Sequence, residues 1–152
     1  FIMNYFHGKD LWDYPKVKFD TLLGKIFIDV VVVKNVTGID DHIIFTCLDG
    51  SQYLMCHANE CCEDVWIEDI NGDVKCLLDR PITLAREETK NTDEDPEGCE
   101  VDSATWTFYS LSAGKGYVDI RWFGESNGYY SESVELYCVK EVGEVIDHDV
   151  LS

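Results

Sequence analysis

Thr105-Trp106-Thr107-Phe108-Tyr109-Ser110, Gly116-Tyr117-Val118-Asp119-Ile120-Arg121-Trp122 and Ser133-Val134-Glu135-Leu136-Tyr137-Cys138 decide the fold. In each run apolar and polar side chains alternate, the period-two pattern of a strand with one face in a core. Trp106 and Phe108 share a face. Val118, Ile120 and Trp122 alternate with Tyr117, Asp119 and Arg121, and Val134, Leu136 and Cys138 with Ser133, Glu135 and Tyr137. Ala113-Gly114-Lys115-Gly116 and Glu125-Ser126-Asn127-Gly128 supply turn chemistry between the runs. The spacing predicts a three-stranded meander with one apolar and one polar face.

The same reading extends upstream. Leu22 to Val33 is apolar on both faces, which predicts a central strand. His42 to Cys47 and Gln52 to His57 flank Asp49-Gly50, a hairpin signature in which both turn residues take positive φ. Ala58 to Cys62 predicts a short helical turn, Val65 to Ile70 a strand ended by Asn71-Gly72-Asp73, Val74 to Leu78 a short helix, and Pro81 to Glu87 a further strand. Residues 88–103, with Asp93-Glu94-Asp95-Pro96-Glu97-Gly98, read as an acidic loop and the strongest candidate for disorder. Residues 1–20 read as an aromatic arm laid over the core, and 141–152 as an acidic tail. The expected fold is mainly β or α+β. It is an antiparallel sheet or sandwich of about seven to eight strands, with one or two short helices, in a single domain over residues 1–152.

Charge narrows the function classes. The chain carries 30 acids against 12 bases, net −18, and residues 60–102 alone hold 15 acids and 4 bases. Phosphate backbones and anionic membranes need cations opposite them, so direct nucleic-acid or membrane binding is disfavoured. No apolar run approaches the roughly 20 residues of a membrane span. No basic segment precedes an apolar one in the manner of a secretory leader. Seven cysteines, an odd number, argue against a secreted disulfide framework and for small core thiols in a reducing, cytoplasmic setting.

Several further stretches carry a resemblance. They are Cys61-Cys62-Glu63, Trp66-Ile67-Glu68-Asp69-Ile70, Gly72-Asp73, Trp106-Thr107-Phe108-Tyr109, Lys115-Gly116-Tyr117-Val118, Ile120-Arg121-Trp122 and Ser126-Asn127-Gly128-Tyr129-Tyr130-Ser131. Together, over about Leu22 to Leu136, the chain resembles a domain-of-unknown-function family common in bacteriophage and prophage genomes. The resemblance carries no activity and no functional residue. It implies a phage accessory protein acting in a bacterial host cytoplasm. The acidic stretch 89–102 and both terminal extensions depart from the common core.

Three constellations bear on chemistry. Cys56-His57 followed by Cys61-Cys62-Glu63 offers thiolate and imidazole ligands for zinc, with His57 and Cys61 one helical turn apart. Consecutive cysteines point apart on regular elements, and no second ligand pair follows, so a buried thiol cluster is the plainer account. His57 with Cys61 or Cys62 is also the only local nucleophile and base, making a metal- or thiol-dependent enzyme the second alternative. Asp69-Ile70-Asn71-Gly72-Asp73 departs from a calcium loop in its glycine and terminal acid, and reads as a turn. Arg121, Trp122, Asn127, Tyr129 and Tyr130 could hold a nucleotide signal by stacking and phosphate pairing, unless Arg121 simply pairs with Glu135 across the sheet.

The localised acidity carries the leading expectation. Closely spaced carboxylates can imitate a phosphate backbone and occupy the basic channel of a nucleic-acid-binding protein. The chain is therefore expected to be a non-enzymatic inhibitor without a resident cofactor. Its expected partner is a basic host defence protein, contacted through Glu87, Glu88, Asp93, Glu94, Asp95 and Glu97.

Overall fold

A computed structural model of the chain describes residues 5–143. Its elements, in order, are β1 (Tyr5–Phe6), β2 (Lys9–Asp10), β3 (Lys16–Val17), β4 (Phe27–Val33), β5 (His42–Cys47), β6 (Gln52–Cys56), β7 (Asp64–Asn71), β8 (Ile82–Glu94), β9 (Glu100–Ala113), β10 (Gly116–Ser126) and β11 (Glu135–Lys140). Short 3-10 turns occupy Leu11–Asp13, Phe19–Leu22 and Val74–Leu77. No α-helix occurs among the described residues, so the fold is mainly β. None of the described helices is long and apolar enough to cross a membrane.

A five-stranded sheet in the order β3-β11-β6-β5-β4 faces a four-stranded sheet in the order β7-β10-β9-β8. The strand pairs are antiparallel. Alternation decides what lies between them. Phe45, Tyr53, Met55 and Leu136 from the first sheet meet Ile67, Tyr109, Leu111, Ile120 and Trp122 from the second in one buried cluster. The arrangement is a sandwich. Leu77 from the last 3-10 turn and Phe19 and Leu22 from the second complete this core. The N-terminal arm covers the other face of the five-stranded sheet, where Leu11 and Tyr14 pack with Leu54, Cys56, Tyr137 and Val139.

Four expectations are corrected. The meander stops at two strands. β9 and β10 pair as a hairpin, while β11 joins β6 and β3 in the opposite sheet. The connection between β10 and β11 is too long for a tight turn, and Glu132 within it is buried and bonds to Thr105 and Ser126 on the way across. β4 is an edge strand, not a central one, and it starts at Phe27 rather than Leu22. Bridges from Ile26 to Pro81 and Phe27 to Leu78 tie its start to the segment before β8, while Ile28 and Val31 on its outer face stay exposed. Ala58 to Cys62 forms no helix. In the β5–β6 turn only Gly50 takes positive φ (89°), and Cys47 N–H donates to Ser51 O, so the connection is longer than a two-residue loop.

The helix expected at Val74 to Leu78 is the 3-10 turn Val74–Leu77, capped by Asp73 Oδ1 accepting from Lys75 N. Asp69-Ile70-Asn71-Gly72-Asp73 is thus a turn and a cap. Gly72 has φ of 110°, and a Cβ there would stand 2.6 Å from Tyr117 O. Cys47, Cys56 and Cys138 are buried in strands as small core residues, whereas Cys76 and Cys99 are exposed. Of the expected acidic tail, residues 144–152 lie outside the described residues.

Candidate functional site

The acidic stretch 88–103 is a hairpin, not a disordered loop. β8 continues to Glu94 and β9 begins at Glu100, pairing from Ile82↔Ala113 to Glu94↔Glu100. A polar, charged strand forms here because β9 opposite it is aromatic and β-branched and offers a complete row of backbone partners. Asp95 organises the turn between them. Its Oδ1 accepts from Glu97 N at 2.9 Å and Cys99 N at 2.8 Å, Gly98 N–H donates to its carbonyl, and Gly98 has positive φ. Residues 87–102 carry eight acids and one base, Lys90.

The six expected contact residues do not share a face. Glu87 lies opposite Tyr109, whose ring is buried in the core, and with Lys16 and Glu135 it lines a separate cleft. Glu88 lies opposite Phe108 on the outer face. Asp95 spends its carboxylate on the turn. Asp93, Glu94 and Glu97 are exposed at the hairpin's end.

Around that end the fold gathers carboxylates from other strands. Glu94 stands in register with Glu100 across β8 and β9. Asp64 stands in register with Glu125 across β7 and β10. Asp64, Glu100, Asp102 and Glu125 line one cleft of about 390 Å³ together with Cys62, Val101, Ser126 and Asn127. Like charges directly opposite on a sheet are unfavourable, and the Glu125 carboxyl registers the charge of Asp64. Desolvation, then the charges of Asp40 and Asp41, push the Asp64 carboxyl above its ordinary range. Desolvation, then Asp64 and Asp95, do the same to Glu125. The result is an acidic ridge along one end of the four-stranded sheet.

The other candidate clusters come apart or change character. His57 is buried, and its Nδ1 donates to Ser133 O at 2.7 Å. Cys61 and Cys62 are exposed and bonded to each other, so they form neither a buried thiol cluster nor a pair of free thiolate ligands. Among the described residues no three His, Cys, Asp or Glu side chains are placed to hold a metal ion. Arg121 is paired with Asp69 on β7 at 2.9 Å, not with Glu135, which belongs to the other sheet. Trp122 points into the sandwich core, on the face of β10 opposite Arg121. Asn127, Tyr129 and Tyr130 lie beyond the end of β10, with Tyr129 83% exposed. The strand puts Arg121 and Trp122 on opposite faces.

The model of one protein family, described as a domain of unknown function (DUF7448), matches residues 20–136. The chain belongs to the DUF7448 family. No curated protein and no solved structure matches it. The DUF7448 span contains the whole acidic ridge, including the hairpin that sequence reading set apart from the family core, and leaves most of the N-terminal arm outside.

Within the DUF7448 span, sequence reasoning missed Asp64, Glu100, Asp102 and Glu125. Glu100 and Asp102 carried a signal: they alternate on a strand beside a charged hairpin. Asp64 and Glu125 are 61 positions apart, and only strand register brings them together. Glu63 stood in the Cys61-Cys62-Glu63 run without a role of its own, and its side chain is fully buried 3.5 Å from His57 Nε2.

Proposed function

We propose that this chain is a binding protein without catalytic activity, whose acidic ridge docks onto a basic, nucleic-acid-binding protein in place of its nucleic acid. The finer form of this reading is a phage-type inhibitor acting in a bacterial cytoplasm on a host defence protein. One observation carries it. Two like-charge pairs, Glu94 with Glu100 and Asp64 with Glu125, are held in register at one end of a rigid sheet. A solvated face that merely keeps a protein soluble has no need of such pairing. A cationic partner would relieve the repulsion.

Spacing supports the same reading. Alternate residues on a strand place carboxylates on one face about 6.7 Å apart, roughly the distance that two nucleotides of a duplex rise along its axis at ~3.4 Å each. A preformed ridge also loses little conformational freedom on docking, unlike a disordered loop.

The test is capture of basic proteins from bacterial lysate on immobilised full-length protein, with elution by salt and by duplex DNA. The triple variant Glu94→Lys, Glu97→Lys, Glu100→Lys leaves Asp95 and its turn intact. Capture that DNA displaces and the variant loses is the expected result. Equal capture by the variant would sink the proposal.

A further inference from the structure

The two sheets of the sandwich have four outer edges, and three of them are blunted. β3 is two residues long and carries Lys16. β7 bears Asp64, Glu68 and Asp69, and β8 bears Arg86, Glu87, Glu88, Lys90, Asp93 and Glu94. Shortness and charge keep an open row of backbone N–H and C=O groups from pairing with another chain. β4 is the exception. Its seven residues hold one charge, Asp29, and four consecutive valines, Val30 to Val33.

The open stretch has defined ends. Asp79 N–H donates to Phe27 O at 2.9 Å and occupies the backbone there. Asn35, with φ of 57°, turns the chain just beyond the strand. Between these points Asp29 to Val33 run in unbroken register with Thr46 to His42 of β5. Among the described residues no strand pairs with their other side. Exposed apolar side chains gather along the same edge. Ile28 and Val31 lie on the strand, Leu23 and Leu48 near its start, and Val36 and Ile39 past its end. Leu48 N–H donates to Ile26 O, which holds Leu48 beside that start.

We propose that β4 is a self-association edge, at which two copies of this chain pair antiparallel about a two-fold axis normal to the sheet. The proposal is independent of the acidic ridge. Charge selects a second copy as the occupant. Chains of net −18 repel each other and can meet only at a patch close to neutral. Residues 23–48 are such a patch, with three acids and two bases. Opposite charges stand at the two ends of the run, Asp29 first and Lys34 last, and both are exposed. Among the described residues neither makes an ion pair. Antiparallel pairing brings Asp29 of each copy to the Lys34 end of the other, where opposite charges stabilise. It also brings Leu23 and Leu48 of one copy toward Val36 and Ile39 of the other. A two-fold axis normal to the sheet keeps each face continuous. A register centred on Val31 then sets Val31 beside its own copy and Val30 beside Val32, a β-branched row packed across the new strand pair.

The test is sedimentation equilibrium of the full-length protein from micromolar to millimolar concentration. Reductant keeps the exposed Cys76 and Cys99 as thiols, and salt screens the long-range repulsion. A contact along one short strand is small among interfaces, so a monomer–dimer equilibrium within that range is the expected result. Val31→Lys sets two ammonium groups together at the axis and should weaken the dimer at least about tenfold. Val31 is exposed in the single chain, so this variant should keep its fold, read by circular dichroism. A charge exchange tests the pairing direction separately. Asp29→Lys alone should weaken the dimer about fivefold, and adding Lys34→Asp should restore it. A monomer at every concentration would leave this edge to a strand of another protein and overturn the proposal. A dimer that a folded Val31→Lys variant leaves intact would overturn it too.

Discussion

Asp64 and Glu125 face each other in register across β7 and β10, two carboxylates at a position where opposite charges would stabilise the sheet. Both carboxyls are raised above their ordinary values of 3.8 and 4.5. A carboxyl raised in the folded state favours folding while protonated and loses that contribution as pH rises through its folded value. The melting temperature should therefore fall as pH climbs from about 4 past the raised values. Asp64→Asn should flatten this fall and lower the Glu125 carboxyl, read by thermal melts at several pH values and by NMR titration of Glu125. An unchanged Glu125 titration would mean that the two groups do not interact.

Asp49 behaves in the opposite sense. Its carboxylate accepts from Lys25 Nζ at 2.7 Å and from Ser51 N and Oγ at the β5–β6 turn. Desolvation pushes it up, but Lys25 and Ser51 outweigh that and hold it at about 2. Its stabilisation is fully present above the ordinary value of 3.8 and is lost as pH falls through about 2. Because the side chain is partly exposed, screening leaves on the order of 1 kcal/mol. Asp49→Asn should lower stability by that amount at pH 7 and by almost nothing near pH 2, measured by urea denaturation.

Trp122 separates packing from hydrogen bonding. It is fully buried in the main core, and its Nε1 has no hydrogen-bond partner. Trp122→Ala should cost about 3–5 kcal/mol through the cavity it leaves. Trp122→Phe gives up no hydrogen bond and should cost less than half as much. Equal losses for the two variants in denaturant melts would show that the indole N–H contributes after all.

Gly72 is held by geometry alone. Its φ of 110° and the 2.6 Å approach of Tyr117 O to any added Cβ both oppose a side chain. Gly72→Ala should destabilise by about 1–3 kcal/mol. A cost below 0.5 kcal/mol (roughly the limit for a neutral surface change) would mean that the turn shifts freely.

Alternation made most strands legible, although on β9 the face it marked apolar, Trp106 and Phe108, is the outer one, and Thr107, Tyr109 and Leu111 turn inward. It identified the strands at β7, β9 and β10 and the β5–β6 hairpin. It could not say which sheet a strand joins, so β11 was placed beside β10 when it pairs with β6. Residues 88–103 were misread for a related reason. Their side chains are solvated, and only the aromatic strand opposite them supplies the template for pairing. The candidate site divides along the same line. Glu94 and Glu97 were visible as local charge density. The pairing of Asp64 with Glu125, and of His57 with Glu63 behind Ser133, depends on how separate segments approach, which composition does not encode. Arg121 with Tyr129 shows the converse: neighbours in sequence that the strand holds apart.

The N-terminal arm has a consequence for where this protein can be cut. Family similarity begins at residue 20, yet Leu11 and Tyr14 cover Leu54, Tyr137 and Val139 on one face of the five-stranded sheet, and β3 occupies the open side of β11. A chain trimmed to the family boundary would bare Leu54, Tyr137 and Val139 and leave β11 as an unpaired edge, the combination that invites self-association. The stretch that defines kinship is thus shorter than the stretch needed to stay in solution.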